Sequence, residues 1–463
     1  MYWNLKEAFS ESDLPCRVDM WWAIMLFRLG FAQLLLWGNE VIYRKNAVSS
    51  AWQEVKLGDV CESISQTFRR QQNEVVLINT SDVLDGKVTN HKYVPNENLR
   101  GQFKKLFKRD DILYSEIRPK NRRFAYVDFD ADDYVASTKL MVIRSNGKIL
   151  PSFLFHVLKS DKIINQLQLL AETRSGTFPQ ITFSELAALD VDIPSIKEQR
   201  EIAATLQVLD DKIENNKTIN HRLEQAAQAI FKNWFVDFEP WGGVMPNGWQ
   251  EGAFKEIISS TLGGDWGKDS PVGNNTQEVY CIRGADIPDV NIGNKGKMPI
   301  RFIPPKNYNA KQLAVGDIVV EISGGSPTQS TGRCALITQS LLDRYDKGMV
   351  CTNFCRAIKP LEGYSSFIYF YWKYLYDQNV MFSYENGTTG IKNLDILGFL
   401  ENELITMPKA DVVAQFAETV EIFIDVIFAN GLENESLANT RDTLLPRLMS
   451  GKLSVADLGR NKR

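Results

Sequence analysis

The sequence predicts an α+β protein in which two α/β domains are held apart by a long antiparallel two-helix coiled coil, arranged as a pseudo-twofold tandem repeat. Three observations predict this fold. Short motifs of the first half recur in the second half, which indicates an internal repeat. Within each half, β-like segments alternate with turns, and each half ends in a long helical stretch. The predicted domains are 51–193 and 247–408, and the predicted helices are 194–238 and 409–455.

The recurring motifs keep the same order in the two halves. They are Trp52-Gln53-Glu54 and Trp249-Gln250-Glu251, Asp111-Ile112 and Asp317-Ile318, Gly176-Thr177 and Gly387-Thr388, and Pro194 and Pro408. Their offset grows from 197 to 214 residues, as expected for homologous units whose loops differ in length. The segments EVVL (74–77), LMVI (140–143) and DIVVE (317–321) have the composition of strands.

The two helical stretches align without a gap at an offset of 214 residues. Residues at alternating steps of four and three form the a/d seam of a coiled coil in each. The first seam is Ile202, Leu206, Leu209, Ile213, Asn216, Asn220, Leu223, Ala227, Ile230 and Trp234; the second is Phe416, Val420, Phe423, Ile427, Asn430, Asn434, Leu437, Arg441, Leu444 and Leu448. Pro446 is predicted to break the last turn of the second helix. The alternative to pairing is that each helix packs on a globular core.

Two asparagines interrupt each seam at its midpoint. If the helices run antiparallel their middles meet, so Asn216 and Asn220 face Asn430 and Asn434. Facing amides satisfy donors and acceptors that are costly to bury alone, and a slip by one heptad would separate them. We therefore predict that the four asparagines specify the register of the helices. Solvated amides in a frayed middle are the alternative.

Composition describes an ordinary globular protein, with 44% hydrophobic and 24% charged residues and a net charge of −4. Six scattered cysteines without CxxC spacing indicate reduced thiols and a cytoplasmic location. Three histidines leave little material for metal or acid–base chemistry. No phosphate-binding motif is present, since Gly263–Asp269 lacks the required spacing, and Asp85-Gly86-Lys87 is predicted to be a hairpin turn. We predict no catalytic residue and no metal site.

The segment from Lys87 to Arg123 holds eleven Lys or Arg residues and only four acidic ones. This local excess suits the phosphates of DNA, and Arg side chains also make bidentate contacts to bases. A solvated surface is the alternative. In this segment the predicted DNA-binding residues are Lys104, Lys105, Lys108, Arg118, Lys120, Arg122 and Arg123.

Three loops rich in small polar residues add further candidates. One lies between residues 323 and 333, and the other two, 174–177 and 386–390, occupy equivalent places in the two halves. Small residues let a backbone approach a duplex closely, although such loops are mostly ordinary turns. The candidate residues here are Arg174, Ser175, Thr177, Ser323, Gly324, Gly325, Ser326, Arg333, Thr388 and Lys392.

Two segments resemble a known family. The run from Ile193 to Phe238 resembles the central repeat of type I restriction-modification specificity subunits, and TLLPRLMSGKL at 443–453 resembles their distal motif. The openings WQEVKLGDV and GWQEGAFKEI resemble the starts of their two target recognition domains. The resemblance covers roughly residues 51–457, and its two helical motifs are specific.

The resemblance implies a non-catalytic subunit that reads a bipartite double-stranded DNA target. It implies that the helices fix the gap between half-sites and dock two modification (methyltransferase) subunits. Restriction subunits, which carry the motor and nuclease, complete such complexes. S-adenosylmethionine, ATP and Mg are then expected on the partner subunits, with no cofactor in this chain and no membrane contact. A self-contained DNA enzyme and a scaffold that has lost DNA binding are the alternatives.

The amino-terminal segment departs from this family. Its members begin just before the Trp-Gln-Glu motif, whereas this chain has about 50 residues more. Met20–Trp37 is apolar but is interrupted by Arg28 and Gln33 and is too short for a comfortable bilayer span. We expect residues 1–47 to be either a helix packed on the body or an upstream mistranslation, with Val48 read as a GTG start.

Overall fold

The computed structural model describes residues 52–68, 72–97, 101–173, 179–324, 326, 329–387 and 392–458. The predicted extension 1–47 lies outside the described residues. Every element below belongs to one unit, Gln53–Arg463. Within the described ranges, no helix has the length and apolar character needed to cross a membrane.

The first half folds into strands followed by short helices. Its strands are β1 (Gln53–Lys56), β2 (Cys61–Ile64), β3 (Glu74–Ile78), β4 (Val83–Leu84), β5 (Lys87–Val88), β6 (Tyr93–Pro95), β7 (Phe103–Lys105), β8 (Ile112–Ser115), β9 (Phe124–Tyr126), β10 (Tyr134–Ser137), β11 (Leu140–Ser145) and β12 (Asp190–Ile193). Its helices are α1 (Pro151–Leu158), α2 (Asp161–Thr173) and α3 (Phe183–Ala187), and the long helix α4 (Ile196–Phe235) follows.

The second half repeats this pattern. Its strands are β13 (Gln250–Ala253), β14 (Ile258–Gly263), β15 (Gln277–Ile282), β16 (Ile300–Ile303), β17 (Ile318–Glu321), β18 (Ser323–Gly324), β19 (Cys334–Leu336), β20 (Met349–Cys351), β21 (Cys355–Pro360), β22 (Glu385–Asn386), β23 (Lys392–Leu394) and β24 (Leu404–Met407). Its helices are α5 (Ile287–Asn291), α6 (Pro305–Lys311), α7 (Gln339–Leu342), α8 (Ser365–Asp377), α9 (Ile396–Asn402), the long α10 (Ala410–Met449) and α11 (Val455–Leu458).

Sheet topology confirms the internal repeat. One sheet has the order β2-β11-β8-β9 in the first half and β14-β21-β17-β19 in the second, so equivalent strands occupy equivalent positions. A second sheet pairs β3 with β10 in parallel in the first half, and β15 with β20 in the second. An antiparallel pair of the first and last strands closes each half, β1 with β12 and β13 with β24. The three segments with strand composition all lie in strands: β3, β11 and β17.

A buried carboxylate occupies the same place in both halves. Asp111 is fully buried and accepts two hydrogen bonds from the Arg144 guanidinium, at 2.7 and 2.8 Å. Asp317, 4% exposed, accepts a bond of 2.6 Å from Lys359 Nζ. Each aspartate also caps the turn before its strand by accepting a backbone N–H, as for Lys108. The repeated Asp-Ile motif therefore has a structural role, because a buried charge must be paired.

The hairpin predicted at Asp85-Gly86 is confirmed. Strands β4 and β5 pair antiparallel, with Leu84 opposite Lys87, and the two residues between them have φ of 44° and 104°. Positive φ at both central positions is the geometry that an Asp-Gly turn adopts readily. Asp85 and Gly86 thus form the turn of this hairpin.

The two long helices each contain 40 residues and are about 60 Å long at about 1.5 Å per residue. The first begins after Ser195, whose side chain accepts the backbone N–H of Glu198 at 3.3 Å, an N-cap bond. The helices pack side by side and run antiparallel, since Asp210 bonds Arg441 near one end and Phe231 packs on Phe416 near the other. All twenty predicted seam residues are buried or partly buried.

The prediction at Pro446 was wrong, because α10 continues through it to Met449. A proline removes one N–H donor and so one bond to the carbonyl four residues earlier. Here that loss falls in the last turn of the helix. Leu445 and Leu448 on either side are buried, and their packing holds the turn in place.

The hydrophobic cores are distributed unequally. In the second half, one continuous core joins the sheets to the helix pair and includes Phe231, Phe235, Phe367 and Phe416. The core of the first half contains Val76, Leu113 and Val142 and is separate from it. The second domain therefore shares its core with the helix pair.

Candidate nucleic-acid interface

The basic segment of the first domain ends in a tight loop between β8 and β9. A 3-10 turn at Pro119–Asn121 forms its tip, flanked by Arg118 and Arg122 with φ of 45° and 51°. The backbone is anchored on both sides, since Arg118 N donates to Pro179 O at 3.1 Å and Lys120 N donates to Gln168 Oε1 at 3.1 Å. Non-glycine residues with positive φ concentrate at functional sites, where the surroundings hold them.

The structure divides the predicted residues of this segment into two groups. Lys104, Lys108, Arg118 and Lys120 are exposed, as a DNA contact requires. Arg122 is 42% exposed and pairs with Asp161 at 2.6 Å, which ties the loop to α2. These four exposed cations are the candidates for DNA contact in the first domain.

Two predicted residues of the segment turn inward and act within the fold. Lys105 Nζ donates to Thr138 O at 3.0 Å and Leu140 O at 2.8 Å, and burial lowers its pKa despite the nearby Glu116. Arg123 donates to Ser81 O at 3.0 Å and Val83 O at 3.4 Å. Both side chains hold backbone carbonyls, so their cations support the loop rather than extend from it.

The polar loop of the second domain lies between β17 and β19. Ser323 and Gly324 form the short strand β18, which pairs with Asn393 and Lys392 of β23. Gly324 has φ of 147°, and a Cβ there would meet Glu321 Oε1 at 3.0 Å, so this position requires glycine. Ser326 bridges Gln329 across the turn.

The two cations predicted to bind DNA at this loop are engaged within the domain. Arg333 makes a bidentate pair with Glu321, at 2.8 and 2.6 Å, and this bonding raises the pKa of Arg333. Lys392 Nζ donates to Glu385 at 2.8 Å, and Glu385 also accepts the N–H and hydroxyl of Thr331. Both pairs are partly or fully shielded from solvent, so these cations fix the loop.

The two loops occupy the same place in the repeat. Strands β8 and β17 are equivalent, and so are β9 and β19, so residues 116–123 correspond to residues 322–333. The bridge between Ile117 and Gln180 in the first domain matches the β18–β23 pairing in the second. The sequence singled out these loops separately, by charge in one case and by small residues in the other. Arg174, Ser175, Thr177, Gly325 and Thr388 lie outside the described residues.

Sequence reasoning missed Lys139, which lies outside the basic run. Its side chain is 51% exposed and is 3.8 Å from Glu116 and 3.3 Å from Gln180 Oε1. It precedes β11, which pairs with β8, so it stands beside the loop 116–123. Only the sheet register brings it there, and the sequence offered no signal for that register.

The four central asparagines meet in two pairs. Asn216 Nδ2 donates to Asn434 Oδ1 at 3.0 Å, and Asn430 Nδ2 donates to Asn220 Oδ1 at 2.8 Å. Asn216 is fully buried and also donates to Glu433 at 2.6 Å. Asn216 Oδ1 is buried with no partner among the described residues. The structure thus brings the amides together, and their role in setting register remains a prediction.

The second domain is attached at this midpoint. Asn220 Nδ2 donates to Ile292 O at 3.1 Å. The backbones of Gly293 and Gly431 pack so closely that a Cβ at residue 431 would lie 1.9 Å from Gly293 O. Arg344 donates to Gly293 O at 2.5 Å and to Glu435 at 2.6 Å. Because a Cβ never fits at such a distance, two glycines are required for this contact.

The first domain contacts other parts of the helix pair. Lys159 and Arg441 both donate to the Asp210 carboxylate, at 3.1 and 2.7 Å. Although burial raises the pKa of Asp210, these two cations hold it below its ordinary value. His156 nearby is 1% exposed, and burial lowers its pKa to about 3. The ion pairs join α1, α4 and α10.

The described part of the chain offers neither a cluster of metal-ligating side chains nor an exposed thiol. No group of three or more His, Cys, Asp or Glu side chains there has the arrangement of a metal site. The five described cysteines (Cys61, Cys281, Cys334, Cys351 and Cys355) are buried and unpaired, and burial raises the pKa of Cys61 to about 12. A thiol with a raised pKa is a poor nucleophile.

The chain is similar to known proteins over most of its length. Residues 49–225 match the family described as the type I restriction modification DNA specificity domain. The specificity subunit of the type I restriction enzyme HindI from Haemophilus influenzae is 32% identical over 87% of this chain and 100% of its own length. The MjaIX specificity subunit from Methanocaldococcus jannaschii is 25% identical over 76% of this chain and 80% of its own length.

A solved structure shows the same fold. The S subunit of a type I restriction-modification system from M. genitalium has a TM-score of 0.53 at 16% identity. The match covers 88% of this chain and 98% of that one.

Proposed function

This chain belongs to the specificity subunits of type I restriction-modification systems, and we propose that it reads a bipartite double-stranded DNA target. Membership identifies it as a DNA-recognition subunit rather than a catalytic one. The observation that carries the bipartite reading is the repeated sheet topology on two antiparallel helices. Two copies of one fold related by a pseudo-twofold axis present the same loop to two separate half-sites.

The reading surface in this proposal is the pair of equivalent loops, 116–123 and 322–333, together with exposed lysines that precede the first loop in the chain. In the first domain Lys104, Lys108, Arg118 and Lys120 contact phosphates or bases. In the second, the partly exposed backbone and hydroxyls around Ser323 approach the duplex. Helices of about 60 Å span about 1.7 turns of duplex at about 35 Å per turn.

The partners in this proposal are DNA and the other subunits of the system. The pseudo-twofold arrangement of α4 and α10 offers two similar surfaces, which suits two modification (methyltransferase) subunits, and restriction subunits complete the complex. S-adenosylmethionine, ATP and Mg bind to those partners in this account. The net charge of −4 fits a subunit that shares its grip on DNA with others.

Sequencing of methylated bases in the host genome tests this proposal. We expect one split motif that disappears when the gene for this chain is deleted. Replacing residues 247–408 by the corresponding domain of a relative is expected to change one half of the motif and leave the other half and the gap intact. A continuous motif, or a change in both halves, would contradict a bipartite reading.

The purified chain separates the remaining candidates. A self-contained enzyme would methylate or cleave DNA without partners, whereas a scaffold would bind modification subunits and fail to select DNA in a gel shift. We expect neither outcome. The assembled complex is expected to bind DNA selectively, and this chain alone is expected neither to methylate nor to cleave DNA.

A further inference from the structure

Phe354 faces solvent beside the polar loop of the second domain. Its exposed fraction is 62%, the largest for an aromatic side chain among the described residues. Exposing a large aromatic ring is unfavourable in a free protein, since the burial of apolar surface is the main favourable term in folding. At a surface proposed to bind DNA, such a ring is available for contact with the ligand, and that contact would remove its apolar surface from water.

The backbone of Phe354 is held in place on both sides. Its carbonyl accepts the N–H of Ile322 at 2.8 Å and that of Ser323 at 3.3 Å. Its own N–H donates to Thr352 Oγ1 at 3.2 Å, and Thr352 is 2% exposed. The ring thus projects from a fixed turn between β20 and β21, and a side chain on an ordered backbone pays less entropy on binding.

The sheet register shows that Phe354 occupies the same place as Lys139. Glu321 pairs with Cys355 in the second domain, and Ser115 pairs with Leu140 in the first. One residue further, Ile322 N donates to Phe354 O, and Glu116 N donates to Lys139 O at 3.1 Å. One domain therefore has a cation at this position and the other has an aromatic ring.

We propose that this position reads DNA in both domains and that Phe354 contacts the 5-methyl group of a thymine in the major groove. The inference rests on the proposed function. Phenylalanine contacts thymine methyl groups in direct readout, and lysine suits phosphates or the acceptors of guanine. Phe354 stands at the base of its loop while Ser323 and Gly324 continue past it. That place suits contact with a base edge, because insertion between base pairs needs a side chain at the tip.

Uracil substitution tests this contact, because uracil is thymine without the methyl group. The assembled complex of this chain with its modification subunits is titrated with fluorescent duplexes. Each thymine of both half-sites is replaced by uracil, one at a time. With the unaltered protein, we expect one uracil in one half-site to weaken binding about fourfold, the factor for one buried methyl-sized group.

The variant Phe354→Ala is expected to bind the thymine duplex at least about fourfold more weakly and to bind the thymine and uracil duplexes equally. Leu397→Ala is the matched control, because Leu397 is 53% exposed in the same domain but lies on α9, outside the loop. The control is expected to retain the sensitivity to uracil. If the Phe354→Ala complex still distinguishes correct from altered bases in the other half-site, the variant is folded and assembled.

Several results would overturn the inference. One is that no uracil in either half-site weakens binding by the unaltered complex. Another is that uracil still weakens binding by the Phe354→Ala complex. The third is that neither half-site contains thymine. Weaker binding by Phe354→Ala at every duplex, without any effect of uracil, would instead assign the ring to insertion between base pairs and refute the methyl contact. If the unaltered complex prefers its own motif no more than a scrambled duplex, the proposed function itself fails.

Discussion

The central asparagines make a quantitative prediction for the helix pair. Replacing Asn216 by Leu leaves Asn434 Oδ1 buried without its donor. Replacing Asn434 by Leu removes one of the two acceptors of Asn216 Nδ2, so that one of its N–H groups keeps Glu433 and the other loses its partner. Asn434 is 8% exposed, so water does not easily substitute for the missing amide. Each single change is expected to cost about 1–3 kcal/mol, the penalty for an unpaired buried polar group.

The double variant is expected to behave differently. With Leu at both positions no amide remains unpaired, and the buried Asn216 Oδ1, which has no partner among the described residues, is removed as well. The double variant is therefore expected to equal or exceed the original protein in stability. Because the two single penalties add to about 2–6 kcal/mol and the double variant has none, the cycle gives a coupling of about 2–6 kcal/mol or more. This is at or above the coupling usual for residues in direct contact.

Hydrogen exchange at the amides of α4 and α10 is the suitable assay, because it reports the local opening free energy while the two domains remain folded. Asn215→Leu is the matched control, since Asn215 is adjacent but exposed, and it is expected to change stability by less than about 0.5 kcal/mol. Single variants that cost no more than this control, or a double variant that loses the sum of both singles, would refute the reasoning.

Three further predictions concern the domains. Gly431→Ala would place a Cβ 1.9 Å from Gly293 O. It is therefore expected to lower the opening free energy of the second domain, measured by hydrogen exchange, by about 1–3 kcal/mol. The stabilisation that alanine usually gives when it replaces glycine in a helix would contradict the contact. The pKa of His156 is about 3 in the folded protein and about 6.5, the ordinary histidine value, in the unfolded chain. As the pH falls below 6.5, His156 is therefore protonated in the unfolded chain while it stays neutral in the folded protein. Opening of α1 should become about 2 kcal/mol easier from about pH 7 to about pH 5, and a His156→Phe variant with the same dependence would disprove it. Lys104→Ala and Lys120→Ala, at exposed positions, should each reduce the salt slope of DNA binding by about 1, and an unchanged slope in titrations would remove that lysine from the phosphate contacts.

The helical part of the fold was predictable because its determinants are local. The heptad spacing fixes which face of each helix is apolar, and the equal length of the two stretches fixes which residues meet. Asn216 and Asn220 therefore met their partners as expected. At Pro446 the rule for helix interiors was applied too strictly, because packing of the last turn outweighs one lost bond.

The candidate interface was less predictable because the direction of a charged side chain depends on distant partners. Lys105 turns inward to carbonyls more than thirty residues away, and Arg333 turns toward Glu321 across a hairpin. Charge density along the chain located the correct loop but not the exposed side chains within it. Phe354 carries no charge and lies outside every motif, so only the sheet register placed it beside Ser323.

The close approach of Gly293 and Gly431 affects how such a protein can be recombined. A foreign second domain grafted onto these helices must bring a backbone that fits the glycine on α10 and a cation for Glu435. A foreign first domain must provide partners for Asp210 and Gln199, two polar side chains on α4. Exchange of the second domain therefore requires a close fit of backbone to backbone at this point, which limits the foreign domains that can be grafted there.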